Sequence, residues 1–295
     1  MKTYICTLLP ALLLCCHVVA QRVNVEYQGH HLYLKSQVNG KSANLVFDTG
    51  AELVYLDSTY LAQSGLSFKH VGSAMIGGAG LEKKKTKIIF GGISVTTGGR
   101  KYTPPYVPVV NLKPILGNLA DGIFGIQEIS EKIITINMQK GEMILSDVLS
   151  PAITQGYSRV PIEYKSGRIL IPVKVTVNAQ MVISGNAMMD MGAGGGIEFT
   201  SRTASKHKLG NIKEKKPFHY KHGGIGGESS GYEFAVSDAK FGNLDVDTRI
   251  ARYSSDKSGA MASDTYVGII GNKIWEQYSV ILALKSKTLY LKKNK

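Results

Sequence analysis

Two short stretches of this chain set an aspartate in the same surroundings. Phe47-Asp48-Thr49-Gly50-Ala51 and Met189-Asp190-Met191-Gly192-Ala193 each run from hydrophobic residues through Asp, one residue and Gly to Ala. A buried strand delivers such an Asp to a turn, and the glycine lets backbone pass closely. Brought face to face, the turns would put Asp48 and Asp190 side by side. Two adjacent carboxyls can share one proton, so that one serves as base and the other as acid. That chemistry adds water to a peptide bond without a metal, a cofactor or a covalent intermediate. A single Asp-x-Gly is an ordinary turn after a strand; this pair gains its weight from what repeats around it.

Asp48 and Asp190 stand 142 residues apart. Ile76-Gly77-Gly78-Ala79-Gly80 faces His222-Gly223-Gly224-Ile225-Gly226 at an offset of 146, and Gly122-Ile123-Phe124-Gly125 faces Gly268-Ile269-Ile270-Gly271 at the same offset. That register carries Ile134, Ile136 and Met138 onto Val280, Leu282 and Leu284, and Glu142-Met143-Ile144-Leu145 onto Thr288-Leu289-Tyr290-Leu291. Landmarks in one order at a nearly constant offset mark two copies of a lobe, with a small insertion between Asp190 and Gly223. The Gly-rich runs suit the tips of long hairpins where φ > 0 is needed. Glycine also gives such a tip the freedom of a flap over a cleft. The Gly-Ile-x-Gly runs let one segment cross closely under another.

On these residues the chain resembles the pepsin/retropepsin superfamily of aspartic proteases. Asp48-Thr49-Gly50-Ala51, the flap-like Met75-Ile76-Gly77-Gly78-Ala79-Gly80 and Asp121-Gly122-Ile123-Phe124-Gly125 match its three signature elements in order. The flap run is nearer the retroviral proteases than pepsin, and Ser73–Phe90 has no pepsin-like flap tyrosine. The likeness spans roughly residues 25–292 and is greatest to two-lobed, retropepsin-like secreted proteins of bacteria. It implies an all-β, bilobal double β-barrel with a few short helices. It implies Asp48 and Asp190 as the catalytic dyad, supported by Thr49, Gly50, Met191 and Gly192, with the Thr49 hydroxyl bonding the opposite turn. Ile76, Gly77, Gly78, Gly80, Gly223, Gly224 and Gly226 become flap and substrate-binding residues, the substrate a peptide or protein, with no cofactor and no metal.

Met191 departs from the pattern. It has no hydroxyl, so only Thr49's half of the reciprocal bracing is expected, and one lost buried hydrogen bond costs about 0.5–1.5 kcal/mol. The alternative reading is therefore an impaired pseudoprotease that binds extended peptides or surface polymers. A third is a β-rich secreted protein held to anionic polymers by its charge. Gly194-Gly195-Gly196 replaces Glu52-Leu53-Val54 and is expected to be flexible, while Glu52 reads as accepting backbone N–H groups beside the cleft or as simply solvated, the first being slightly favoured.

The first 20 residues read as a secretory signal peptide: Lys2, an apolar core beginning at Leu8–Leu14, and Val18-Val19-Ala20 before Gln21. All three cysteines, Cys6, Cys15 and Cys16, fall within it. Leu14 and Cys15 are poor preceding residues for a lipid anchor at Cys15 or Cys16. Export without cysteine points to a periplasm, cell surface or extracellular space and excludes disulfide and thiol chemistry. Residues 21–155 form the expected N-terminal lobe and 156–295 the C-terminal lobe, with the boundary near Ser150–Ser158. The net charge is +13, but no aromatic residues interleave Lys83-Lys84-Lys85 and Lys87, so nucleic acid is not the expected partner. Those lysines read as solubilising charge, or as a bias on substrate choice if they lie on a flap. No other apolar run is long enough to span a bilayer. A monomer is the economical expectation, because both Asp turns lie on one chain.

Short strands should dominate, among them His31–Val38, Lys87–Phe90, Ile169–Val177 and Thr288–Leu291. Brief helices are expected at Ser58–Gln63, Ser201–Lys208, Gln127–Lys132 and Lys273–Gln277. The Pro-rich Thr103–Pro108 reads as an edge segment or loop, and Tyr253–Thr265 as a surface loop. His30 and His31 should face opposite sides of a strand. His219 and His222 lack carboxylate or thiolate partners at metal-ligand spacing, and Trp275 reads as core.

Overall fold

The computed structural model describes residues 20–78 and 82–294. Cys6, Cys15 and Cys16, expected in a signal peptide, and Gly80, expected in a flap, lie outside the described residues. Among the described residues strands predominate, with five short α-helices, and the strands form two sheets of 15 and 10. Among the described residues no helix is long and apolar enough to cross a membrane.

Each Asp turn is built by one device. Strand Lys41–Asp48 runs antiparallel to His31–Val38 on one side and parallel to Gly122–Gly125 on the other, where Gly125 stands opposite Asp48. Met181–Met189 runs antiparallel to Arg168–Asn178 and parallel to Gly268–Ile270. The Gly-Ile-x-Gly glycines are required by close crossing: a Cβ on Gly122 would lie 2.3 Å from the Tyr55 carbonyl oxygen, and on Gly268 2.4 Å from that of Glu198.

Ile133–Asn137 ties the two copies together. It pairs with its hairpin partner Glu142–Ser146 and also, antiparallel, with Tyr278–Ala283. Thr135 stands opposite Ile281, its own counterpart at the 146-residue offset. An antiparallel pair centred on equivalent residues is what a local twofold axis requires. Around this seam Ile134, Ile136, Val280 and Leu282 are fully buried, continuous with a core that takes in both sheets. Trp275 is part of it, packed on Phe241 at 5.3 Å and donating its indole N–H to the Ile270 carbonyl.

Some of the helices begin on side-chain caps. Asp57 opens Ser58–Ser64 and Thr200 opens Ser201–Lys206. Asp57 is fully buried, and its second oxygen accepts the amides of Leu112 and Lys113 at the start of Lys113–Leu116. One carboxylate thus fixes two helices.

Several local expectations are corrected. Gln127–Lys132 is not an α-helix; a 3-10 turn spans Ile126–Ile129. The second helix stops at Lys206, before a separate 3-10 turn at Leu209–Asn211, and the fourth is Asn272–Trp275. Tyr106–Val110 is an interior strand between Lys84–Phe90 and Tyr55–Asp57, not an edge or loop. Pro108 is tolerated there because Tyr55–Asp57 pairs only with Val109 and Val110, leaving Pro108 no second ladder to break. Tyr253–Thr265 is not simply a surface loop either: Tyr253 and Ser254 end a strand, and Asp256 and Met261 are buried. Asp256 accepts from the Ser229 hydroxyl and the Ser230 amide, so the polar composition serves internal bonds rather than solvent.

Asp57→Ala would strand four amides in the interior and is expected to lower unfolding free energy by about 3 kcal/mol. Asp57→Asn, which keeps one accepting oxygen, should cost roughly half as much. Urea unfolding of both variants checks the order; equal losses would mean that the second oxygen contributes nothing.

Candidate active site

The two Asp turns meet at the seam between the halves. Asp48 Oδ1 accepts the amides of Gly50 (2.7 Å) and Ala51 (3.2 Å), and Asp190 Oδ1 accepts those of Gly192 and Ala193 (both 3.0 Å). The carboxyls lie close enough that each alters the protonation of the other. Only glycine allows this approach: a Cβ on Gly192 would sit 2.3 Å from Asp48 Cγ, and on Gly50 2.8 Å from Asp190 Cγ. Each carboxyl keeps some access to solvent through the cleft while protein surrounds it elsewhere.

Burial raises both carboxyls above the ordinary aspartate range. Asp190 is raised further, by the charge of Asp48 beside it. Asp48 is held back by amides from both turns, Gly50 and Ala51 of its own and Gly192 of the other. Burial and mutual repulsion together therefore keep one proton on the pair to higher pH than an ordinary aspartate would hold it.

Thr49 is fully buried and does what the resemblance implied. Its hydroxyl donates to the Met189 carbonyl (2.9 Å) and accepts the Met191 amide (3.0 Å). Met191 is equally buried, its side chain in the hydrophobic core. The following glycines are not a loose stretch. The amides of Gly271, Asn272 and Lys273 donate to the carbonyls of Gly196, Ala193 and Gly195. Glu52 is exposed and lies against Gly167 of the other half, where a Cβ would fall 2.2 Å from its carboxyl oxygen; among the described residues no backbone amide beside the cleft donates to it.

A cavity of about 340 Å³ lies over the carboxyls. Tyr55, Leu112, Ile115, Leu116 and Ile123 wall one side, and Met188, Tyr266 and Ile269 the other, with Arg168 also lining it. Burial, then the charges of Asp48 and Glu52, push the Tyr55 hydroxyl up to about 12, so it stays protonated. Gly77, Gly78, Gly223, Gly224 and Ile225 line it from the two hairpins, Val71–Ile76 with Lys84–Phe90 and Lys215–Gly224 with Gly227–Ala235. The tips touch. Glu82 donates its amide to the Gly226 carbonyl, and a Cβ on Gly78 would lie 2.7 Å from the Ile225 carbonyl oxygen. Gly77 and Gly78 do not have the positive φ expected of a tip; Gly226 does. Their reason is close approach, not left-handed backbone. Ile76 ends the first flap strand.

The remaining candidates lie elsewhere. His30 is in a turn with φ 63°, not in the strand, and its Nδ1 lies 3.0 Å from Glu276. Burial, then His30, pushes His31 down to about 4, so it is neutral. His219 and His222 are exposed on the second hairpin. Among the described residues no three His, Cys, Asp or Glu side chains form a metal-ligating group. Sequence reading missed Ala260, whose amide holds the Gly78 carbonyl, together with Tyr266 and the Lys113–Leu116 helix. It also missed Asn272, whose one signal was an Asn where the first copy has Ile126.

Comparison with known proteins finds no family model that matches the chain and no curated protein significantly similar to it.

Because Asp190 is raised in the fold, its protonated form contributes stability that is full below the ordinary aspartate range and is lost as pH rises towards its raised value. Asp190→Asn removes that loss. Calorimetry should find the variant more thermostable than the parent at pH 8, with the gap closing near pH 4. An equal difference at both pH values would show that Asp190 is not raised in the fold.

Proposed function

We propose that the chain is a bilobal aspartic endopeptidase with a double β-barrel fold, one barrel for residues 21–155 and one for 156–295, hydrolysing peptide bonds in extended segments. The observation that carries the reading is the carboxyl pair, each member seated on two amides of a glycine turn and the two brought together beneath paired hairpin tips. The motif order and the duplication support it.

In this reading Asp48, as carboxylate, takes a proton from a water in the cleft while the oxygen of that water bonds to the scissile carbonyl carbon. Asp190 gives its proton to the carbonyl oxygen, leaving a tetrahedral diol. The proton on Asp48 passes to the amide nitrogen, the C–N bond breaks, and Asp190 recovers a proton from a diol hydroxyl. The products are a carboxylic acid and an amine, and the dyad returns to its starting state. The apolar walls suit uncharged side chains beside the cleaved bond, and the flap hairpins exclude bulk water from the step. The substrate is a peptide or protein, the protein acts as a monomer, and it is exported to the periplasm, cell surface or surroundings.

Residues 21–295 incubated with a mixed peptide library from pH 3 to 8 should cleave between apolar residues. Asp48→Asn and Asp190→Asn should each lower kcat by at least about 10²-fold while remaining folded. A folded parent that binds the library without cleaving it would overturn the enzyme reading in favour of a peptide-binding pseudoprotease, the reading that Met191 favours.

A further inference from the structure

The residue that lacks the bracing hydroxyl is held on both sides of its own peptide unit. The Met191 amide donates to Thr49 Oγ1 at 3.0 Å, and its carbonyl accepts from Asn272 Nδ2 at 2.6 Å. The second hydrogen of that side-chain amide goes to the carbonyl of His30, also at 2.6 Å. His30 belongs to the first half, and Met191 and Asn272 to the second. Both donors of the carboxamide are thereby used, one to each half.

Asn272 is fully buried, and its Oδ1 has no protein partner. Its counterpart at the 146-residue offset is Ile126, also fully buried, which makes no such bonds. The fold therefore accepts an apolar residue at this place in one half. An Asn with a stranded oxygen is the costlier choice for packing alone. The difference runs opposite to that in the Asp turns: Thr49 goes with Ile126, and Met191 with Asn272. Each half supplies one polar brace, from a different position.

The anchor is itself fixed. Glu276 accepts from the Tyr27 hydroxyl and lies 3.0 Å from His30 Nδ1, while its amide donates to the Asn272 carbonyl at 2.8 Å. The His30 turn and the Asn272 backbone are thus held by one residue.

We infer that Asn272 is a positioning residue that holds the Asp190 turn against the first half, in place of the hydroxyl that Met191 lacks. Its effect on catalysis rests on the endopeptidase reading; its effect on the turn does not. With the carbonyl of residue 191 released, the Gly192 and Ala193 amides no longer point steadily at Asp190 Oδ1, and the dyad loses its alignment.

The test uses Asn272→Ile, which copies the first half, Asn272→Ser, which is too short to reach both carbonyls, Met191→Thr, and Met191→Thr combined with each. Amide exchange by NMR is measured in all of them, with kcat and KM on one cleaved peptide. Either Asn272 variant should speed exchange at Gly192 and Ala193 by about tenfold, leaving core amides such as Ile134 unchanged. It should lower kcat by about tenfold with KM nearly constant. Met191→Thr added to either variant should restore both. A uniform loss of protection across the core, or no rescue by Met191→Thr, would make Asn272 a structural residue only and overturn the inference. If the parent cleaves nothing, the endopeptidase reading fails, while exchange at Gly192 and Ala193 still decides the brace.

Discussion

Two buried carboxyls that face each other repel unless one keeps a proton, and the geometry that lets them share it tolerates little error. The other features of this chain meet that constraint. Strands on both sides of each Asp fix its height, the crossing glycines allow the turns to close to contact, and amides replace the water that the carboxyls give up. The Thr49 hydroxyl spans the seam because neither turn alone can set the separation.

The duplication did not keep the two halves equal. The first half contributes a hydroxyl from its Asp turn, and the second a carboxamide from the helix behind its own. The first carries Glu52 beside the turn, packed on Gly167, where the second carries Gly194 packed on His30. Such inequality bears on the carboxyl pair: a symmetric pair gives the proton no preferred home, whereas the surroundings of Asp48 and Asp190 differ.

The motifs that bear on this site were legible because each rests on a short-range rule. Asp-x-Gly-Ala demanded close approach, and close approach was found at Gly50 and Gly192. The 146-residue register marked Ile134 and Ile136 as the equivalents of Val280 and Leu282, though not that these segments pair with each other, as they do around Thr135 and Ile281. What was not legible depends on contacts far apart in sequence. Composition alone sent Tyr253–Thr265 to the surface, although Asp256 is bound by a hairpin some 26 residues away. Gly78 was read as a turn glycine because its true neighbour, Ile225, belongs to the other half. Asn272 was silent for the same reason: its two acceptors lie 81 and 242 residues distant. The double-barrel description adds to the two sheets a closure that pairing alone does not supply.

The pairing of Ile133–Asn137 with Tyr278–Ala283 bears on the order in which the molecule assembles. Until residues 278–283 have been made, one side of Ile133–Asn137 is an open edge, and a segment about 146 residues downstream must return to cover it. Contacts so distant in sequence form late and slowly. The same delay separates Asp48 from Asp190, so a chain in mid-synthesis holds one aspartate turn and no dyad. Whatever chemistry the paired carboxyls perform therefore begins only once the two halves have met.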